Sequence, residues 1–564
     1  MPRARMVNKI RSPARVTLPD PFYYLKNFQT VLSSIETRYA ELLSVEERQF
    51  MAYFAVLPKV SRALLVRMVM RQGVFFRRSR LNYPEIGETF ATVEPLLKWR
   101  MVDAAPALDV EQLAQLLTKQ ELLQSFSLPQ SYRSLKKSDL VAVLAAQFPG
   151  RKILPDWCPN FGDCIYELKA ALVCERFRWM FFGNFHQDWG EFVLADLGIF
   201  SYEAVPESLK SAAFQTRAHI DSFEQLYGCR RMLAAGSPAI EVLAGIPAPI
   251  ADCDWLEDRR QKLLFYVARA FERSGDPAAA LGVLSKCNYR GARMRAVRLR
   301  ERRHEWEAAR DLCLAAQANP ENESERQQAR RLLPRLNRKL GIAGSKTPEM
   351  RPVPTFEMNM TAPLEDGAVE YRVRDCLATE DGPASTIHYV ENGLVNSLFG
   401  LLCWRAIFAP IPGAFFHDFQ SGPADLSNGY FFARRQSLFA ECFAELESET
   451  YKRTIRQCLA TKAGIQNSFV TWGLLSRRLL DWALTCIPAA HLKLMFEWIA
   501  RDVQDNRAGF PDLVQFWPQQ RRYRMIEVKG PGDRVQDNQR RLLDFCVSHD
   551  IPVSVCFVRW TPSN

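Results

Sequence analysis

Two short segments near the C-terminus constrain the fold more than anything else in the chain: Gly509-Phe-Pro-Asp-Leu-Val and Met525-Ile-Glu-Val-Lys-Gly. The first reads as the start of a strand ending near Trp517-Pro518, the polar Gln519–Arg522 as a turn, and Tyr523–Lys529 as a second strand, so that the pair forms a hairpin. On a strand, residues two apart share a face, which places Glu527 and Lys529 together while Val528 points into the core. Asp512 on the partner strand then meets Glu527 across the hairpin. Two carboxylates and one ammonium at a sheet edge commit this region to an α/β domain with a chemical site.

That trio suits phosphodiester hydrolysis. Carboxylates are hard oxygen ligands for Mg²⁺ or Mn²⁺, and such an ion polarises a phosphate and lowers the pKa of an attacking water, which a lysine can position. Asp512, Glu527 and Lys529 are the candidate catalytic residues, spaced as P-D-x14-E-x-K, the signature of the PD-(D/E)xK nuclease fold. As a string the pattern is weak, because Pro155-Asp156 followed by Glu167-Leu168-Lys169 also satisfies it. Cys164 to Phe182 has helical periodicity, and on a helix residues two apart diverge by ~200°, so this second set is expected not to converge. A third acid fits the C-terminal site. A helix beginning at Glu391 and running to about Ala409 places Glu391, Val395, Leu398 and Leu402 on one stripe. From its head Glu391 could share a cation with Asp512; an ordinary first-turn glutamate favoured by the helix dipole is the competing reading.

Over 564 residues the chain should form several domains, and most of it shows helical periodicity. Lysine and arginine outnumber acids 74 to 63, and 17 against 8 of these fall in the first hundred residues, a surplus that suits nucleic acid, an anionic membrane or an acidic protein. Residues 20–150 read as a helical DNA-binding region. In it Arg77, Arg78 and Arg80 stand either near a phosphate backbone or at a solvated helix end. Residues 106–150 read as two short helices, with Lys136-Lys137 ahead of Ser138 as N-cap of Asp139–Phe148; the pattern resembles a SAP-type DNA-binding module. Residues 151–345 are helical, with two echoing stretches (Asp276-Pro-Ala-Ala-Ala-Leu and Glu305-Trp-Glu-Ala-Ala-Arg) of TPR-like character. The dense arginines between Trp255 and Lys339 read first as a salt-bridged helix surface rather than a basic wall. The proline-bearing 346–370 reads as a linker, and 371–564 as the α/β domain.

Other classes fall away. Fourteen cysteines without a C-x-x-C pair suggest reduced, buried thiols rather than disulfides or zinc. The most apolar stretch, Leu394 to Phe416, is broken by Asn396, Arg405, Pro410 and Pro412, so no membrane span is expected. The basic N-terminus lacks the apolar core of a secretory signal and reads as a disordered tail. Gly341 to Thr347 lacks the second glycine of a phosphate-binding loop, so no ATP site is expected. His388 reads as structural.

Glu391-Asn-Gly-Leu-Val-Asn-Ser-Leu-Phe-Gly-Leu-Leu, Gly509-Phe-Pro-Asp-Leu-Val and Glu527-Val-Lys-Gly-Pro-Gly-Asp-Arg-Val-Gln-Asp-Asn-Gln together resemble the VRR-NUC domain of Fanconi-associated nucleases. Tyr23-Tyr-Leu-Lys-Asn-Phe, Leu81-Asn-Tyr-Pro-Glu-Ile, the SAP-like hairpin and the helical repeats precede it in the same order, so the resemblance covers nearly the whole chain. It implies a multidomain, mostly α protein ending in an α/β PD-(D/E)xK nuclease domain, selective for branched or flapped DNA. Such an enzyme cleaves 5′ flaps, trims duplexes 5′ to 3′ and serves interstrand cross-link repair. It further implies that Glu391, Asp512 and Glu527, with the Val528 carbonyl, hold two Mg²⁺ or Mn²⁺ ions. Lys529 would orient water or stabilise charge, Gln539 would stand near the active site, and Arg534 would contact DNA. Vertebrate members carry an N-terminal extension with a ubiquitin-binding zinc finger, which has no counterpart here, so ubiquitin binding is not expected. The chain looks like a compact member of the bacterial kind, expected in the cytoplasm or nucleoid (in the nucleus if eukaryotic). Asn538 replaces a lysine that contributes to a 5′-phosphate pocket in vertebrate members, which places that pocket in doubt. The rival reading is a DNA-junction scaffold with a vestigial nuclease domain; the intact Asp512, Glu527 and Lys529 set argues against it.

Overall fold

The computed structural model describes residues 20–561 apart from 127, 160, 185–186, 193–199, 207–211, 344–350, 362–367 and 382–383. The expected basic N-terminal tail lies outside the described residues. The chain divides into two compact units, residues 1–199 with 214–217, and residues 200–213 with 218–564.

In the first unit, helices Tyr23–Tyr39, Lys59–Val69 and Ala171–Phe182 pack around a core that includes Tyr24, Phe28, Leu64 and Phe177. A small antiparallel sheet of order β1-β3-β2 joins β1 (Phe75–Arg77), β2 (Val102–Asp103) and β3 (Ile165–Leu168). Strand β3 corrects the expectation of a helix from Cys164. Ile165, Tyr166 and Leu168 are buried, and pairing on both sides outweighs the local helical periodicity. Glu167 and Lys169 therefore do pair, at 3.2 Å, contrary to the geometric argument against them. Asp156, however, lies exposed on a separate short helix, Leu154–Trp157. The strand also ties residues 165–168 to the N-terminal unit rather than to a domain beginning at 151.

The SAP-like region holds three helices rather than two: Val110–Leu116, Lys119–Ser125 and Lys137–Gln147. The first two open with reciprocal capping boxes, Asp109 with Gln112 and Thr118 with Glu121, each satisfying backbone donors that the helix start leaves free. Leu113, Leu122, Leu140 and Leu144 fill the space between them. Ser138 is not the N-cap of the third: the helix starts at Lys137, and the Ser138 hydroxyl donates to Asp139 instead.

In the second unit, five helices stack in sequence: Asp254–Arg273, Pro277–Leu284, Ala292–Arg302, Trp306–Ala318 and Glu323–Lys339. Asp276 caps the second by accepting from the Ala279 N–H, and Pro277 supplies its pre-set first turn. Several arginines pair within the stack, Arg293 with Glu325, Arg295 and Arg302 with Glu272, and Arg335 with Glu301, while Arg290 and Arg331 reach out of it to Asp502 and Asp537.

A five-stranded mixed sheet follows, of order β4-β8-β7-β6-β5, built from β4 (Thr355–Thr361), β5 (Thr386–Tyr389), β6 (Leu513–Trp517), β7 (Arg522–Lys529) and β8 (Val553–Thr561). Strand β4 corrects the linker expected over 346–370. Phe356, Met358 and Met360 alternate with polar residues as an edge strand requires, and β4 runs parallel to β8. The hairpin β6–β7 is antiparallel as expected, and β7 returns through helix Asp537–Ser548 to β8 as a parallel crossover. Helix Leu394–Leu402 is buried along its whole length in the same core as helix Asp537–Ser548, while helix Val369–Asp381 packs on the opposite face of the sheet.

Candidate active site

Register fixes the centre of the site. Leu513 pairs with Ile526, so Asp512 arrives opposite Glu527 at the end of the hairpin. One Asp512 carboxylate oxygen accepts the Val528 N–H at 2.8 Å, and its backbone carbonyl accepts the Val390 N–H at 2.8 Å. Glu527 is only 1% exposed. Its Oε1 accepts from Lys529 Nζ at 2.7 Å and from the Gln539 side-chain amide at 2.5 Å, while Oε2, buried, has no hydrogen-bond partner. Gln539 is fixed in turn, because its carbonyl oxygen accepts the Gln536 N–H at the start of helix Asp537–Ser548. Asp512, Glu527 and Lys529 thus stand in one buried cluster, and the half-buried Gln539, which the family resemblance placed near the site, joins it through Glu527.

Two buried carboxylates share this cluster with a single ammonium. Burial, then the nearby Asp512 carboxylate, pushes Glu527 up to about 8 even against Lys529. Burial also pushes Asp512 up to about 6, with Glu370 and Glu391 adding to the rise and the Val528 N–H and Lys529 opposing it. Like-charged carboxylates excluded from water carry this penalty until a positive partner reaches them. The orphaned Glu527 Oε2 and the Asp512 carboxylate are hard oxygen donors, so the residues fit a divalent cation. Among the described residues no three Asp, Glu, Cys or His side chains already stand as a metal cage, which matches the position of Glu391.

Glu391 departs from expectation. It precedes the helix, in a turn over residues 391–393 with helix Leu394–Leu402 starting after it, and it is exposed. Glu391 therefore does not head the buried stripe, which begins at Leu394. Its carboxylate is instead held by the Tyr389 hydroxyl, which donates to Oε2. The turn is pinned by Asn392, in the left-handed region at φ 50°, whose side-chain oxygen accepts both the Gly509 and Phe510 N–H groups at 2.8 and 2.9 Å. Asn396 repeats the device, donating to the Arg507 carbonyl at 2.7 Å. These two asparagines were missed in the sequence, although an Asn immediately after a candidate ligand is itself a turn signal. Gly509, at φ +100°, is obligatory: a Cβ there would stand 2.9 Å from the Asn538 carbonyl. Glu370, at the start of helix Val369–Asp381, was also missed; its field reaches Asp512.

The expected DNA contacts fare unevenly. Arg77 is enclosed, donating to Asp163 at 3.0 Å and Glu121 at 2.7 Å, which makes it a strut rather than a free cation. Arg78 is half-buried and Arg80 exposed. Lys136 and Lys137 are exposed, and Lys137 donates to the Leu117 carbonyl at 2.7 Å, linking two SAP-like helices. Arg534 is exposed in the loop between β7 and the following helix.

A helical protein that ends in a mixed sheet with Asp, Glu and Lys clustered across adjacent strands has the architecture of a nuclease, and family comparison agrees. Residues 446–560 match the VRR-NUC domain, 22–103 the "FAN1, HTH domain" and 107–157 the Fanconi anemia-associated nuclease SAP domain. The Fanconi-associated nuclease 1 homolog of Pseudomonas aeruginosa is 48% identical over 551 residues, spanning 98% of each chain. That of Arabidopsis thaliana is 24% identical over 96% of this chain and 67% of its own length. A crystal structure of paFAN1 bound to 2-nt 5′-flap DNA with a gap, 48% identical, covers 97% of this chain and 100% of that one with a TM-score of 0.89. The chain belongs to the Fanconi-associated nuclease family.

Proposed function

We propose that this protein is a metal-dependent, structure-selective DNA nuclease that cleaves 5′-flapped duplexes, resects 5′ to 3′ and serves interstrand cross-link repair. The observation that carries this reading is the buried Asp512, Glu527 and Lys529 cluster, braced by Gln539, with its partnerless carboxylate oxygen. A relative of 48% identity, solved with 1-nt and 2-nt 5′-flap DNA, supports the substrate class.

Asp512 and Glu527, with the Val528 carbonyl and Glu391 swung from Tyr389, would hold Mg²⁺ or Mn²⁺, one or two ions. When bound, such an ion supplies charge neutralisation at the phosphate and an acidified water. Lys529 lies on the same strand face as Glu527 and can orient the attacking water or meet the developing negative charge. Gln539 fixes the Glu527 carboxylate so that one oxygen remains for the ion. Arg80, Lys136, Lys137 and Arg534 are the exposed members of the expected set and would meet DNA phosphates, which position a duplex without reading its sequence. No single described helix is long and apolar enough to cross a membrane.

The test is a labelled 5′-flap duplex incubated with Mn²⁺ or Mg²⁺, with and without chelator. Cutting that needs the metal supports the reading, and absence of cutting with any divalent metal favours the scaffold alternative. A ribose flap in parallel separates DNA from RNA selectivity.

A further inference from the structure

A second chemical environment adjoins the candidate active site on the β5 edge of the sheet. A cavity of about 380 Å³ opens there, with Tyr371, Arg374, His388, Tyr389 and Ser476 among the residues that line it. Tyr389 belongs to both places, because its ring walls the cavity and its hydroxyl holds Glu391.

The lining sets two tyrosine rings and an imidazole beside one guanidinium, that of Arg374. Tyr371 and Tyr389 stand with ring centroids 5.0 Å apart, and Arg374 lies 5.0 Å over the Tyr371 ring. Behind His388, Trp482 packs at 5.0 Å, and Arg478 covers the Trp482 ring at 4.5 Å. Tyr371 is 44% exposed despite its size, which leaves ring surface for a partner. No carboxylate lines the cavity; Asp375, which pairs with Arg374, is exposed outside it. The field of Arg374 and Arg478 lowers the pKa of the half-buried His388 after burial itself does so.

These features exclude most ligands. An apolar molecule would make no use of the Arg374 guanidinium, which Asp375 pairs from outside the cavity. A bare phosphate would make no use of the rings. Stacking surface next to positive charge suits an unpaired nucleotide, whose base offers a π-face and whose backbone offers an anion.

We propose that this cavity receives one unpaired nucleotide of the cleaved strand beside the scissile phosphate, its base against Tyr371 and Tyr389 and its phosphate toward Arg374. Arg478, outside the lining, adds to the positive field at His388. The site then senses single-strandedness next to the metal ligands, and so contributes to the preference for flaps over fully paired ends. The inference rests on the nuclease reading above.

The experiment compares kcat/KM on a 5′-flap duplex and on a nicked duplex of the same sequence, for the wild type, Tyr371→Leu and Arg478→Gln. Loss of one base–aromatic stack predicts a fall of about tenfold in the flap-to-nick ratio for Tyr371→Leu, with a smaller fall for Arg478→Gln. Both positions are exposed, and melting temperatures confirm folding. A 2-aminopurine at the flap base, read in chelator so that no cutting occurs, should be quenched by wild type and much less by Tyr371→Leu. An unchanged ratio, an equal loss on both substrates, or equal quenching by the variant would overturn the proposal. A wild type that cuts neither substrate would instead overturn the nuclease reading, leaving the quenching result to judge the cavity alone.

Discussion

Binding a divalent ion at Asp512 and Glu527 should release protons, and the structure sets how many. With Glu527 at about 8 and Asp512 at about 6, at pH 7 about nine in ten Glu527 side chains and about one in ten Asp512 side chains carry a proton. Metal needs both as carboxylates, so about one proton leaves per site filled. The sign for stability follows from the same shifts. Both folded-state values lie above the ordinary 4.5 and 3.8, so the protonated forms are favoured by folding. Metal-free stability is therefore highest below those ordinary values and falls as pH rises through 6 and then 8, by on the order of a few kcal/mol. Mn²⁺ should raise the melting temperature more at pH 8 than at pH 6. The assay is calorimetric titration of Mn²⁺ at pH 7 in two buffers of different ionisation enthalpy, whose difference counts the protons. Glu527→Gln removes the main source, so any Mn²⁺ it still binds should release far less than one proton. Tight Mn²⁺ binding with no buffer dependence in the wild type would refute the reasoning.

Three further outcomes follow from packing around the site. Asp425 accepts both arms of the fully buried Arg435, at 2.8 and 2.9 Å; Asp425→Ala strands that charge and should cost about 3–5 kcal/mol in denaturant unfolding. Gly509→Ala forces a Cβ against the Asn538 backbone at a left-handed φ and should cost about 1–3 kcal/mol, with reduced cleavage because the strand leading to Asp512 must shift. Asn392→Ala leaves the Gly509 and Phe510 N–H groups without their acceptor. It should lower stability by about 1–3 kcal/mol and lower cleavage further than stability alone explains.

The hairpin and its three charged residues were legible because they follow from periodicity alone: a two-residue repeat places Glu527 with Lys529, and an antiparallel partner brings Asp512 opposite. Gln539 became legible through family resemblance, since nothing local marks a glutamine that reaches back to a strand from a crossover helix. Tertiary pairing hid the rest. Strand β3 takes its conformation from two neighbours distant in sequence, and β4 from a β8 nearly two hundred residues later, so their short segments read as helix and linker. Glu391 misled because the hydrophobic stripe that begins at Leu394 extends plausibly backward to it; the Asn392 turn breaks that continuity. Arg77 read as a free cation because its partners, Glu121 and Asp163, lie far along the chain.

The central claim is that the buried carboxylates cut and the rest of the chain holds the DNA. Its most direct test is a 5′-flap duplex assayed in Mn²⁺ for cleavage, and in chelator for binding, with Asp512→Ala and Glu527→Ala. The account predicts that both variants lose cleavage by about a hundred- to a thousandfold, as loss of a charge-stabilising group in a desolvated site does, while flap affinity stays within a few-fold of wild type. Metal-dependent cutting at a near wild-type rate in either variant would contradict it.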